Sequence, residues 1–385
     1  MGAAVRWWLG VRPARPGRPL RGVFRLFVVA TSIAIGAARH GWAAPPFYVV
    51  HISMDGLRGD LLAAALDGVG GPALPHFRRI VAEGATTFDA RSDFTNTTTL
   101  PNHTSMLTGR PVEQPAEQPA TVPHGWVQNG KPAKDEVLHG KGNPAVAYVA
   151  SVFDVAHDAG LSTAAYASKS KFVLFDRSWD EAHGAPDTLP PDSGRDKIDR
   201  YVYVKADSED AARGLQAVVL ADLRVQPARY TFVHYIDLDA AGHASGWESA
   251  GWLQALQRVD GYLGEVLGVV QSTPALAGRT VLLITADHGG SGENHGDATL
   301  LADCTIPFLV WGAGVASGRD LYALNAVTRA APGAARPDYN AAPQPIRNGD
   351  AANLVLQLLG LGPVPGSSIN ARQDLQVGTP RTHSE

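Results

Sequence analysis

Six residues of metal-ligating type stand at short spacings in this chain. They are Asp55, Asp239 with His243 four positions on, the adjacent pair Asp287 and His288, and His295. Carboxylate and imidazole without thiolate suit Zn2+ or a similar divalent cation. Six such groups are too many for one tetrahedral ion and about right for two ions with open positions. The sole cysteine, Cys304, permits no disulfide within the chain and no Cys-based zinc motif. Asp239 and His243 can meet on one ion if the segment between them turns, which Gly242 permits. Asp287 and His288 would face opposite ways along a strand, but Gly289 and Gly290 let the backbone bend and aim both at one point. Alone, Asp55-Gly56 reads as a turn and Asp239 with His243 as surface decoration. An Asp-His-Gly-Gly that follows an apolar strand is harder to dismiss, because the strand delivers two charged groups to a rim.

The elements that must carry these groups show as apolar runs. Residues 47–54 form a β-rich run ending at Asp55, and 230–236 a run ending at Asp237 and Asp239. Residues 280–285 are continuously apolar at their centre and read as a strand buried on both faces, with Asp287 just past it. Residues 306–311 read as another such strand and 163–168 as a short one. Helical periodicity falls at 74–83, 146–159, 207–223, 250–270 and 351–359. This alternation predicts an α/β fold, a doubly wound and mostly parallel sheet flanked by helices. In such sheets ligands bind beyond the carboxyl ends of the strands. Asp55, Asp239 and Asp287 arriving on that rim would repel one another unless cations lay among them.

A nucleophile candidate is Thr99, in Thr97-Thr98-Thr99-Leu100-Pro101-Asn102-His103, between a strand-like segment and a helical one. Pro101 suits a first helical turn. Thr99 then lies at or beside the N-cap, where free N–H groups and the helix dipole favour an anion. A plain threonine cap has the same sequence. What raises Thr99 above that reading is the ligand set, since a bound cation turns a poor hydroxyl nucleophile into a reactive one.

Taken in chain order, these residues resemble the alkaline phosphatase superfamily, and most closely its branch of type I phosphodiesterases and nucleotide pyrophosphatases. The resemblance is carried by Asp55-Gly56, Thr99 to His103, Thr108-Gly109, His124-Gly125 with Asn129, Asp239 with Gly242-His243, Asp287-His288-Gly289 and His295-Gly296. It implies an alkaline-phosphatase-like fold and a phosphate-ester hydrolase with two zinc ions. One ion would take Asp55, Asp287, His288 and the Thr99 oxygen; the other would take Asp239, His243 and His295. Thr99 would attack phosphorus and form a phospho-threonine, and Asn129 would donate to a non-bridging phosphoryl oxygen. The chain departs from the pattern at 113–119, where extra Pro, Gln and Glu residues precede Asn129.

Diester and monoester substrates differ by one charge. In threonine-type phosphatases of the superfamily a Lys-x-Arg pair meets that charge, and Lys169-Ser170-Lys171 resembles it with Lys in the second place, which lacks the bidentate fork of Arg. The alternative to a phosphodiesterase is therefore a phosphomonoesterase that uses Lys169 and Lys171. Phe172, Phe175 and Trp179 could wall a substrate pocket or be core. A sulfatase would need Cys or Ser where Thr99 stands. A zinc-binding protein without turnover is the remaining class.

The 385 residues suffice for one large α/β domain, expected over 45–385 with insertions at about 111–144 and 176–198 and an irregular stretch at 313–349. Arginines at 6, 12, 15, 18, 21 and 25 precede an apolar run at 26–38 and small residues near Ala43 and Ala44. That pattern reads as a signal peptide over 1–44, so the protein is expected to be exported, periplasmic or secreted, with no stable membrane span after cleavage; the alternative is an uncleaved N-terminal anchor. A formal charge of −4 offers no basic field for a nucleic-acid duplex, so the expected partner is a small phosphate ester. Of the other histidines, His51 and His234 fall within strands as core or supporting groups, His103 is placed to brace the Thr99 helix, and His139 reads as a surface residue.

Overall fold

Eight strands make one sheet in the order β4-β3-β5-β1-β6-β7-β2-β8. They are β1 (Tyr48–Met54), β2 (Ala85–Arg91), β3 (Thr163–Ala167), β4 (Arg200–Tyr203), β5 (Tyr230–Tyr235), β6 (Thr280–Thr285), β7 (Thr305–Gly312) and β8 (Arg319–Asp320). The computed structural model describes residues 48–68, 72–188, 194–205 and 212–378. The leader read over 1–44 lies outside them. Among the described residues, no helix is long and apolar enough to cross a membrane.

The central strands β4, β3, β5, β1 and β6 are all parallel. Only β7 reverses, pairing antiparallel with β6 on one side and β2 on the other. The sheet is thus the doubly wound, mostly parallel one expected, although 305–312 runs against its neighbours. β5 and β6 are buried along their whole length, and β1 at every residue but its first. Strands covered on both faces carry no polar stripe, which is why 280–285 was legible to the residue. Helices pack in two groups. Pro75–Glu83, Arg213–Val225 and Asp237–Ser245 meet the long helix Ala250–Ser272, while Thr99–Thr108, Val152–Asp158 and Asp350–Leu358 meet one another.

Two expected helices depart from their apolar patterns. The first begins at Val152, not 146, because the Ser151 hydroxyl accepts from the N–H groups of Phe153 and Asp154 while the Asp154 carboxylate accepts from Ser151 N–H, a capping box that fixes the start. The second runs Arg213–Val225, and the residues expected to open it, 207–211, lie outside the described set. The 111–144 segment has no strand or helix, yet it is anchored by buried Val112, Trp126 and Leu138. His139, read as a surface residue, is half-buried: it stacks on Tyr148 with ring centroids 4.2 Å apart, bonds Ser178 O at 2.5 Å and accepts from Val149 N–H. Phe172, Phe175 and Trp179 are all buried in the core.

Candidate metal centre and active site

The carboxyl ends of four adjacent strands deliver the candidate residues. β3 leads to Lys169, β5 to Asp239, β1 to Asp55, and β6 to Asp287 and His288. Register keeps these ends level, with Ser53 paired to both His234 and Thr285. Asp239 and His243 meet without a turn. They lie on one face of the helix Asp237–Ser245, four residues apart, with His243 Nε2 3.3 Å from Asp239 Oδ1. Gly242 is therefore helical and not a turn residue.

The six ligand candidates converge. His288 Nε2 lies 3.3 Å from Asp55 Oδ1, 3.2 Å from Asp287 Oδ2 and 3.9 Å from Asp239 Oδ1. His295 Nε2 lies 3.5 Å from Asp239 Oδ1 and 3.2 Å from His243 Nε2. Two triads have ligating atoms within metal-sharing distance, Asp55–Asp287–His288 and Asp239–His288–His295. Each imidazole is oriented by its other nitrogen: Nδ1 of His243 bonds Glu293 O at 2.8 Å, that of His288 bonds Gly289 O at 2.8 Å, and that of His295 bonds Thr97 O at 2.7 Å. A carbonyl can only accept, so all three Nδ1 atoms carry a proton, and the three Nε2 atoms are the ones that face the cluster.

Four buried atoms in this cluster have no hydrogen-bond partner: Asp55 Oδ1, Asp239 Oδ1, Asp287 Oδ2 and His288 Nε2. Buried acceptors are normally satisfied. Their opposite atoms are satisfied, since Asp287 Oδ1 accepts from the N–H groups of Gly56 and His288, and Asp55 Oδ2 accepts from His234 Nε2 at 2.9 Å. Lone pairs left bare on one side and held from behind on the other fit divalent cations. A third group, His157, Asp158 and Asp187, also brings ligating atoms together. There Lys197 Nζ already sits between Asp158, at 2.8 Å, and Asp187, which makes an internal ion-pair cluster.

The electrostatics agree. Burial and the neighbouring Asp55 charge push Asp287 up to about 8. Burial opposes protonation of His288, but Asp287 and Asp55 outweigh it and raise it to about 9. Burial and the charge on His288 lower His295 to about 3. Burial alone would keep protons on all three carboxylates, but neighbouring positive charge holds Asp55 and Asp239 below the usual carboxylate range, and only Asp287 is pushed up. Lys169 supplies part of that charge, with Nζ 2.5 Å from Asp55 Oδ2 and 2.6 Å from Asp239 Oδ2. Burial works against the ammonium, yet the carboxylates hold its pKa above the usual lysine range.

Thr99 is the first residue of the helix Thr99–Thr108 and is buried. Two nested turns feed the chain into it. The Asp93 carboxylate accepts from the N–H groups of Thr95 and Asn96, and Asn96 Oδ1 accepts from Thr98 N–H and Thr98 Oγ1. The hydroxyl of Thr98 turns back to Asn96 and makes no cap bond, and the Leu100 N–H is met instead by Asn129 Oδ1 at 3.0 Å. Asn129 reaches this place because Gly125, at φ +69°, lets the segment pass against Gly142, where a Cβ would stand 2.6 Å from backbone. Lys171 Nζ also donates to Asn129 Oδ1, at 2.9 Å. With the carbonyl end so engaged, the NH2 end is the donor that remains. Burial and the adjacent Lys169 charge lower Lys171 to about 8. Lys169 Nζ stands 3.4 Å from Thr99 Oγ1. All ten candidate residues thus fall in one neighbourhood.

Sequence reasoning gave no role to Ser53 or Thr97. Ser53 Oγ bonds His103 Nε2 at 2.8 Å, and His103 Nδ1 bonds Thr99 O at 2.8 Å, so His103 braces the Thr99 helix against β1. Thr97 Oγ1 donates to His295 O at 2.5 Å. His234, read only as core or support, holds Asp55 from behind, with Ser168 Oγ 3.0 Å from its Nδ1. Strand alternation could have found His234; the others depend on contacts distant in sequence.

Comparison with known proteins agrees with this architecture. The family model for type I phosphodiesterase / nucleotide pyrophosphatase matches residues 49–305. The fold is similar to mouse ectonucleotide pyrophosphatase/phosphodiesterase 5, solved as an inactive threonine-to-alanine form in complex with AMP: TM-score 0.55, 17% identity, 85% of this chain and 99% of that one. The human protein gives a TM-score of 0.56 at 16% identity with the same coverage. A 2-O GAG sulfatase shares the fold at a TM-score of 0.53 and 12% identity, over 88% of this chain and 76% of that one. Among curated sequences, GPI ethanolamine phosphate transferase 1 of Schizosaccharomyces pombe is 29% identical over 33% of this chain and 14% of its own length. That of Neurospora crassa is 31% identical over 37% and 16%. The chain thus spans a small part of the curated relatives it matches.

Proposed function

The chain belongs to the type I phosphodiesterase / nucleotide pyrophosphatase family, a family of phosphoester hydrolases, and from that premise we propose that it cleaves phosphodiesters through a covalent intermediate on Thr99. The observation that carries the reading is the set of four orphaned lone pairs at one end of the sheet, beside the helix that begins at Thr99. Asp55, Asp287, His288 and the Thr99 oxygen would hold one divalent cation, and Asp239, His243 and His295 a second; the donor set suits Zn2+. When bound, the pair would supply positive charge that lowers the pKa of the threonine hydroxyl and offsets charge developing on the phosphoryl group.

The chain's own groups account for the rest. Thr99 Oγ loses its proton to solvent and attacks phosphorus, the bond to the leaving oxygen breaks, that oxygen takes up a proton, and phospho-Thr99 forms. Water then attacks the same phosphorus and Thr99 leaves with a proton restored. The Asn129 NH2 group donates to a non-bridging oxygen, and the N-terminal end of the Thr99 helix faces the same charge. Lys169, protonated and beside Thr99 Oγ1, donates to whichever oxygen carries most charge. The inactive threonine-to-alanine form of the mouse structural neighbour supports a catalytic threonine. A leader over 1–44 would place this chemistry, in a single catalytic domain over 45–385, outside the cytoplasm.

Two neighbouring readings share the intermediate. Lys169 and Lys171 point inward and would stabilise a monoester dianion, which favours phosphomonoesterase activity as the alternative. The names of the curated relatives favour a phosphoethanolamine transfer in which an alcohol replaces water in the second step. The deciding experiment assays wild type and Thr99→Ala with p-nitrophenyl phosphate, bis-p-nitrophenyl phosphate, nucleotide diesters, and a phosphoethanolamine diester with and without an alcohol acceptor. The proposal expects diester turnover that Thr99→Ala abolishes. Full activity of the variant would remove Thr99 from the mechanism.

A further inference from the structure

Trp247 follows the helix Asp237–Ser245 and is fully buried. Its indole meets three backbone segments, one helix and two loops, each next to a ligand candidate and each a glycine where it faces the ring. A Cβ on Gly242, which precedes His243, would stand 2.5 Å from the indole. One on Gly290, two residues after His288, would stand 2.2 Å away, and one on Gly56, which follows Asp55, 3.1 Å. Real Cβ contacts are not that short, so any side chain at Gly242 or Gly290 would displace its own loop or the indole. The contacts are also bonded. Trp247 Nε1 donates to Gly56 O at 2.8 Å, and the Trp247 backbone N–H donates to Gly292 O at 2.9 Å. The ring centroid lies 5.4 Å from that of His243, 5.8 Å from His295 and 6.5 Å from His288.

One rigid side chain therefore touches the backbone behind ligands drawn from β1, from the helix after β5 and from the loop after β6. The loop after β6 serves both halves of the ligand set, but Asp55 comes from β1 and Asp239 and His243 from the helix after β5, and the separation of these must be fixed by something that contacts both. We propose that Trp247 is that spacer: a positioning residue that sets the distance between the Asp55/Asp287/His288 half and the Asp239/His243/His295 half. This rests on reading those six groups as metal ligands. A tryptophan that only filled core would need no glycine facing it from both the Asp239/His243 helix and the loop after His288, and its replacement would change stability without changing coordination.

The test uses the full chain, stripped of metal and titrated with Co2+, with visible absorption reading coordination geometry and a thermal melt confirming folding. Trp247→Phe keeps an aromatic ring but loses Nε1 and width; Gly242→Ala keeps the indole but pushes it. Gly261→Ala, in the helix Ala250–Ser272 where a Cβ meets nothing within 4 Å, is the control. Wild type and the control should bind two Co2+ per chain with one spectrum. Trp247→Phe and Gly242→Ala, folded, should bind Co2+ about 10–100-fold more weakly, the range seen when supporting groups of metal sites are lost, and with shifted visible bands. If Trp247→Phe does not fold, Gly242→Ala decides. Wild-type affinity and spectrum in the folded variants would overturn the spacer. Failure of wild type itself to bind Co2+ would instead overturn the ligand assignment, and the spacer with it.

Discussion

Thr97 and His295 bind each other twice. The His295 Nδ1–H donates to Thr97 O, and the Thr97 hydroxyl donates to His295 O. The segment that leads to Thr99 and the loop that carries the last imidazole are thereby one unit, 198 residues apart in sequence. Thr97→Val removes one of the two bonds and leaves the ring held by the other. Metal affinity should fall toward the lower end of the roughly 10–100-fold range for such support, with turnover restored by added Zn2+. Calorimetric titration checks this; unchanged affinity would show that the backbone bond alone orients His295.

Lys169 bridges Asp55 and Asp239 and reaches toward Thr99. A hydrogen bond to a charged group is worth about 1.5–3 kcal/mol, so Lys169→Ala should lower monoester kcat/KM about 10–100-fold. The diester carries one charge less and should lose less. Equal losses on p-nitrophenyl phosphate and its bis ester would reject a role in reading the additional charge.

Asn129 has two jobs that two substitutions separate. Asn129→Asp keeps an acceptor for Leu100 N–H and Lys171 but has no NH2 donor, so kcat should drop about 10²–10³-fold, as for loss of a preorganised donor, with little change in melting temperature. Asn129→Ala loses both and should also destabilise by about 1 kcal/mol, a cap's worth. If the Asp variant turns over like wild type, the amide does not touch the phosphoryl group.

Metal loading should release protons. Burial and Asp55 raise Asp287 to about 8, and Asp287 and Asp55 raise His288 to about 9 against the effect of burial, so in the metal-free protein this neighbouring pair holds a proton at pH 7. A ligating carboxylate and imidazole must give it up. Affinity for Zn2+ should therefore climb as pH rises through 8 and 9 and weaken below. Calorimetry at pH 7 in two buffers of different ionisation enthalpy counts the protons, and a count of zero would exclude Asp287 and His288 as ligands.

What was legible in the sequence was what local chemistry announces. A strand buried on both faces is a bare apolar run, and an aspartate at its end stands out, so β1, β5 and β6 with Asp55, Asp239 and Asp287 could be read directly. β2 could not: Ala85–Arg91 carries Thr, Asp and Arg, and its pairing with β7 shifts register between Thr87 and Ala90. The edge strand β4 offers only Tyr201-Val202-Tyr203, and β8, Arg319–Asp320, has no apolar residue. Gly242 was read as a turn because glycine breaks helices, whereas it is small here to admit an indole five residues on. Trp247, Thr97 and the capping role of Asn129 exist only where distant segments meet, and one chain read in order does not record those meetings.

The central claim is that two divalent cations belong among Asp55, Asp239, Asp287, His243, His288 and His295. It is tested most directly by elemental mass spectrometry of the purified chain after dialysis, with Asp287→Asn measured in parallel. The account predicts about two Zn2+ per wild-type chain, at least one fewer in the variant, and activity that a chelator removes. A wild-type chain that carries no metal and hydrolyses diesters undiminished in chelator would contradict it.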